Sequence, residues 1–216
     1  NTTLFDKNLD SFNTVWQINY TMLFFSLLSL ANIKKLKSAS LAFVNLGLNA
    51  VVLFVFLTVG LYVLGELREN YLAQTAGETF QSGLFHIFIR YISYAFCGVL
   101  LFAVFRYIKQ KFVLEVVPQA ALAFVFDFVF YVSLLIISSS ELINLMDIFG
   151  YRDSYKLGLS ILWGVYALGL IVLGIYRHEK HLRIGAIALF GLTLVKLFFY
   201  DIADLDTISK TIVFVS

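Results

Sequence analysis

Few side chains in this sequence are equipped for chemistry, and those that are stand inside apolar runs. Asp127 interrupts the run from Gln119 to Ile137, ten residues before its end, or ~15 Å of helix. An ionised carboxylate at that depth costs several kcal/mol unless it is wetted or paired. Two readings are open to it: a proton or cation site on a transport path, or a buried acid that is protonated or paired with Arg90. His86 and Arg90 are four residues apart, which puts them on one helix face. Together with Asp127 they make a candidate intramembrane polar site opening outward, with the Arg90 guanidinium as a clamp for phosphate or carboxylate. The plainer reading has Arg90 snorkelling to the interface. Lys196 precedes Asp201 by five residues and is expected to snorkel outward, neutralising the acidic stretch of Asp201, Asp204 and Asp206. Asn45 and Asn49, one turn apart, are expected to hydrogen-bond a neighbouring helix.

Other chemistry is absent from the pattern. There is no HExxH, GxSxG, P-loop or dinucleotide fingerprint, so no catalytic residue is named and the reading leans away from an enzyme. The histidines (His86, His178, His181) are divided between two ends of the spans, and Cys97 stands alone, so neither a metal site nor a cofactor is expected. A net charge of +2, with the cations scattered between apolar runs, excludes nucleic acid as a partner.

The elements that position these residues follow from composition. Of 216 residues 60% are hydrophobic and only 14% charged, with a mean hydropathy of +0.86. Soluble domains keep about a quarter of their residues charged, so lipid is the solvent for most of this surface. After a polar segment at 1–14, apolar runs of bilayer length predict spans at about 15–31, 41–64, 84–107, 119–137, 155–176 and 182–200, with an incomplete seventh at 208–216. The fold class is all-α, a polytopic bundle of helical hairpins forming a single transmembrane domain. Trp16 reads as an interfacial anchor at the start of the first span. Glu66 to Gly83 reads as a polar connection, and Ser138 with Glu141 has the form of a capping box opening a short amphipathic surface helix. The glycines of the fifth and sixth spans (Gly158, Gly164, Gly169, Gly174, Gly185, Gly191) are expected at close helix contacts.

Charge sets the orientation. Basic knots centre on Lys35, Lys109 and Lys180, a little over 70 residues apart, while the intervening loops are mixed or acidic. The positive-inside rule puts the knots in the cytoplasm and the N-terminus outside, and the regular spacing suggests a hairpin repeat. The chain opens at Asn1 without a Met and stops inside an apolar run, so it is expected to be part of a longer polytopic protein.

The stretch from Tyr155 to Ser216 resembles a bacterial family of predicted membrane proteins, domain of unknown function 2339. The likeness rests on a span holding Trp163, a basic turn with Arg177 and Arg183, a span ending in Lys196, and Asp201 after it. It implies a bacterial inner membrane and assigns no activity. Three classes of function remain: transport or the handling of lipids and envelope precursors, a scaffold for other membrane subunits, or a transferase acting on a lipid-linked substrate. Membrane lipids and other membrane subunits are the partners implied.

Overall fold

A chain immersed in lipid must satisfy its backbone internally, and one without strand-length alternation does so as helix. A computed structural model describes residues 2–74, 83–114, 118–151 and 155–201, and among these the regular elements are helices, with no strand. They are α1 (Thr2–Ala31), α2 (Ala39–Val55), α3 (Leu61–Gln74), α4 (Phe85–Tyr107), the short α5 (Lys111–Leu114), α6 (Gln119–Ile148), α7 (Tyr155–Tyr176) and α8 (Lys180–Lys196). Single π-helical turns occupy Asn32–Leu36, Phe56–Gly60 and Leu197–Asp201. The protein is an all-α polytopic membrane bundle. Among the described residues five stretches are long and apolar enough to cross a bilayer: Ala39–Ala73, Phe85–Tyr107, Gln119–Ile148, Tyr155–Tyr176 and Lys180–Phe199. The expected span at 15–31 belongs to α1, which is not one of the five, and the expected seventh at 208–216 lies outside the described residues.

Helices run further than the polar residues suggest. Residues 2–14 are the opening turns of α1, so Trp16 sits mid-helix, stacked on Tyr20 at 5.4 Å. The stretch ELREN at 66–70 continues α3 to Gln74. The capping box at Ser138 and Glu141 does not open a helix, because α6 passes unbroken through Ile148. Each of these stretches lacks Gly and Pro, and nothing else in it breaks a helix already propagating.

The chain divides into two compact units, residues 1–137 and 138–216. In the first, α1 and α4 lie parallel, and their contacts keep one register. Phe12 meets the His86 ring edge-on at 4.7 Å, Asn19 Nδ2 donates to Ser93 Oγ at 3.0 Å, and Asn32 Nδ2 donates to the Tyr107 hydroxyl. The buried stripe of α1 (Ser11, Val15, Asn19, Met22, Ser26, Ser29), which Asn32 continues into the π turn, recurs every three or four residues, and its small members let the helices approach closely. Leu64, Leu67, Ile89 and Leu100 complete the core from α3 and α4. The π turn is fitted to one contact: a Cβ on Gly60 would stand 2.9 Å from the Phe56 ring.

Asn32 also organises the first basic turn. Its Nδ2 donates to the Ser38 carbonyl at 3.1 Å and its Oδ1 accepts from the Ser38 N–H at 3.0 Å, while Lys37 adopts a left-handed φ of 48°. Ser38 in turn caps α2 by accepting from Leu41 N.

In the second unit α7 and α8 form an antiparallel hairpin packed through fully buried Ala167 and Ala186. Only two of its glycines make the expected close contact. A Cβ on Gly174 would stand 2.7 Å from Arg183 Cγ, and one on Gly158 would stand 3.0 Å from Met146 Sδ. Gly164, Gly169, Gly185 and Gly191 face open space, since alanines already occupy the seam.

Replacing Asn32 should therefore cost more than replacing its partner. Asn32→Ala is expected to lose about 2–3 kcal/mol and Tyr107→Phe about 1 kcal/mol, because the first removes several buried hydrogen bonds and the second removes one. Thermal unfolding of both variants in detergent measures the difference, and equal losses would refute the role given to Asn32.

Candidate functional site

Polar side chains in the first unit gather at three heights. Nearest the start of α4, His86 Nδ1–H donates to the Gly83 carbonyl at 3.0 Å. Arg90, one turn on, is 2% exposed, so it is enclosed by its unit rather than snorkelling. Arg68 on α3 is also buried, beside an exposed Glu69 carboxylate at 3.6 Å. The polar residues around Arg68 suggest a solvated loop, but α3 carries it back toward the core as an added helical turn.

Asp127 stands elsewhere. Its neighbour Phe126 meets the Phe105 ring at 5.6 Å, and Arg90 lies fifteen residues before Phe105 on α4, ~22 Å of helix away. That exceeds the reach of the two side chains, so the structure keeps His86 and Arg90 together and sets the half-buried Asp127 apart from them.

At the middle height are the asparagines of α2. Asn45 Nδ2 donates to Ser29 Oγ at 2.7 Å, and Asn49 Nδ2 donates to the same oxygen at 3.2 Å and to the Asn45 carbonyl at 2.6 Å. The hydrogen bonds expected of these residues are present, and Ser29 is the partner that hydropathy concealed. Its hydroxyl donates to the Phe25 carbonyl at 2.8 Å, so one small group serves three others. Ser29 and Asn19 are on the buried stripe of α1 and Asn32 continues it into the π turn, and recurrence at helical spacing is the signal that finds them.

Beside Asn49 the packing opens. A cavity of about 140 Å³ lies between α2, α4 and α6, walled by Leu53, Leu100, Val104, Ile108, Phe126 and Val129 among others, with Asn49 as its polar member. Asn49 Oδ1 is buried and accepts no hydrogen bond. Ala50 and Val125, also in the wall, are exposed, so the cavity reaches the apolar surface of the unit. Asp127 is not among the lining residues.

Below the cavity lies the basic end. The bond from Asn32 to Tyr107, with Ala42, Tyr107 and Val113 buried together, brings the first two basic knots to the same end of the unit. Lys34, Lys35, Lys37, Arg106, Lys109 and Lys111 are exposed there.

The family model of a predicted membrane protein, DUF2339, matches residues 2–216. The chain belongs to this family. The resemblance of the C-terminal part thus extends over the whole DUF2339 match, and both units fall within it. No curated protein and no solved structure matches the chain.

In the second unit Lys196 departs from expectation. Its Nζ donates to Ser160 Oγ at 2.7 Å and to the Lys156 carbonyl at 3.0 Å, turning back across α7 instead of reaching outward. Ser160 is buried and offers an oxygen where the Lys196 stem ends. Asp201 closes the last π turn, and its side chain lies outside the described residues. Trp163 Nε1 donates to Ser139 Oγ at 2.9 Å, the same use of a serine hydroxyl between helices. If Lys196 pins α8 to α7, Lys196→Met should lower hairpin stability by about 1–2 kcal/mol. Lys196→Arg should recover part of it. Unfolding in detergent reads both, and a Met variant as stable as the parent would show that the pin contributes nothing.

Proposed function

We propose that this DUF2339 protein handles lipid in a bacterial inner membrane, holding part of an apolar chain between α2, α4 and α6. The observation that carries the reading is the cavity: apolar in its lining save for Asn49, and open at the surface of the unit through Ala50 and Val125. Membrane interiors are otherwise close-packed, and a void of this kind forfeits contacts that an occupant restores. The orientation that goes with this reading places the basic end of the first unit in the cytoplasm and the start of α1 outside. Its support is the distribution of charge: six described cations stand together at one end of the unit, whereas toward the other Arg68 and Arg90 are mixed with Asp10, Glu66 and Glu69. We also read the chain as a hairpin repeat. The parallel contacts of α1 with α4 join residues 74 or 75 apart, which matches the interval between the first two knots.

Filling the space tests the proposal. Val104→Phe and Val129→Phe each add bulk to the cavity wall, and both are expected to reduce lipid retained through detergent purification severalfold without lowering the unfolding temperature. Unchanged lipid stoichiometry, measured by native mass spectrometry, would overturn it.

One observation favours a transport reading of the same machinery. Asp127 is a half-buried carboxylate within an otherwise apolar stretch of α6, next in sequence to a cavity-wall residue. An ionisable group so placed is a candidate proton carrier. On this reading Asp127→Asn leaves lipid retention and unfolding temperature unchanged while abolishing the pH dependence of lipid movement across vesicles, and a variant that keeps that dependence removes Asp127 from the mechanism.

A further inference from the structure

The cavity and the basic end of the first unit are not independent features. Ile108, in the cavity wall, directly precedes Lys109. The Lys109 ammonium stands 3.7 Å over the Phe105 ring, and that ring meets Phe126, itself a wall residue, at 5.6 Å. One cation is therefore two ring contacts from the apolar space. Around it stand five more, from Lys34, Lys35, Lys37, Arg106 and Lys111, all exposed. The start of α6 at Gln119 is at this end as well, and the free N–H groups of its first turn favour negative charge.

We propose that the cavity and this basic rim form one binding site for an anionic phospholipid. The phosphate rests on the rim lysines, and the first part of an acyl chain enters the cavity beside Asn49. The inference rests on the acyl-chain reading of the cavity and adds to it the identity of the headgroup. Three features argue for an anionic lipid rather than a neutral one. The six described cations at this end have no described acid among them, whereas Asp10, Glu66 and Glu69 lie toward the opposite end of the unit together with Arg68 and Arg90. Basic pockets between membrane helices on the cytoplasmic side recruit acidic headgroups, each Lys or Arg adding to the attraction. The geometry also matches a lipid and not a free ion, since the charged and apolar parts of the site are contiguous through Ile108 and Phe105.

The test uses the full chain, purified in detergent and stripped of endogenous lipid, with native mass spectrometry as the readout. Phosphatidylglycerol and phosphatidylcholine of identical acyl chains are the probes. Phosphatidylglycerol is expected to bind roughly tenfold tighter. Substituting Lys37→Gln, Lys109→Gln and Lys111→Gln together should bring the two lipids within about twofold of each other, with the larger loss on phosphatidylglycerol. Val104→Phe should weaken both. Equal binding of the two lipids to the parent chain overturns the headgroup assignment and leaves the acyl-chain reading intact. Retention of both lipids by Val104→Phe overturns the acyl-chain reading instead. Displacement of phosphatidylglycerol by millimolar inorganic phosphate would show that the rim takes the free anion, and it too overturns the proposal. A triple variant that keeps the full preference for phosphatidylglycerol also overturns the headgroup assignment.

Discussion

The first unit depends on a rule that lipid imposes more harshly than water: a buried polar group must find its partner inside the protein. Asn32 meets that rule in two places at once. Its side-chain amide satisfies both backbone groups of Ser38, so the chain can reverse at the edge of the bilayer, and the same amide reaches the Tyr107 hydroxyl on a helix seventy-five residues away. A local turn and a long-range contact are thereby one structure. Asn19 with Ser93, and Ser29 with Asn45 and Asn49, repeat the device at other heights. Apolar contacts in a bilayer are non-specific, because lipid tails offer much the same surface as leucine. These amide and hydroxyl pairs are what choose one register of α1 against its neighbours over the next.

Close packing on one side leaves slack on the other. The small and polar residues of α1 draw α2 and α4 toward it, and the amides of Asn45 and Asn49 turn to Ser29 on that side. The first turns of α6 carry no comparable group reaching across to α2. They face α2 and α4 with large side chains such as Phe126 and Val129, and large side chains leave a gap where their ends do not interlock. The cavity is therefore the expected complement of a polar seam elsewhere in the same unit. Its one polar lining residue, Asn49, belongs to both.

Much of this architecture can be read from the amino-acid sequence, because hydropathy over bilayer-length windows is a strong signal. The run LGLSILWGVYALGLIVLGIY has few alternatives to a membrane helix. The polar segments are harder to read, and for a consistent physical reason. Glu66, Arg68 and Ser138 look like loop residues because they are hydrophilic, yet hydrophilicity alone does not break a helix; Pro does, and it is missing there. Lys196 illustrates a second limit. Snorkelling is the natural expectation for a lysine near a span end, and only the tertiary position of Ser160 shows a nearer partner. The pairing of Asp127 with Arg90 fails for a third reason: equal apparent depth on two helices says nothing about axial register until a contact such as Phe105 with Phe126 supplies it. Asn45 and Asn49 are legible because one-turn spacing of amides within an apolar run leaves little else for them to do.

Parallel packing of α1 and α4 explains why charge accumulates. Two helices joined by a short turn must run antiparallel, so the lysines at the end of one would sit opposite the start of the next. Here the partner of α1 is the helix one hairpin later, which runs the same way, and each ends in a basic turn. Lys34, Lys35 and Lys37 are thus brought beside Arg106, Lys109 and Lys111 although the two groups repel. The repulsion is tolerable only where water or counter-charge screens it, which requires this end of the unit to lie outside the hydrocarbon. An acidic headgroup at that level would relieve it further, and the register set by Asn32 is what places the cavity within an acyl chain's reach of the same cations.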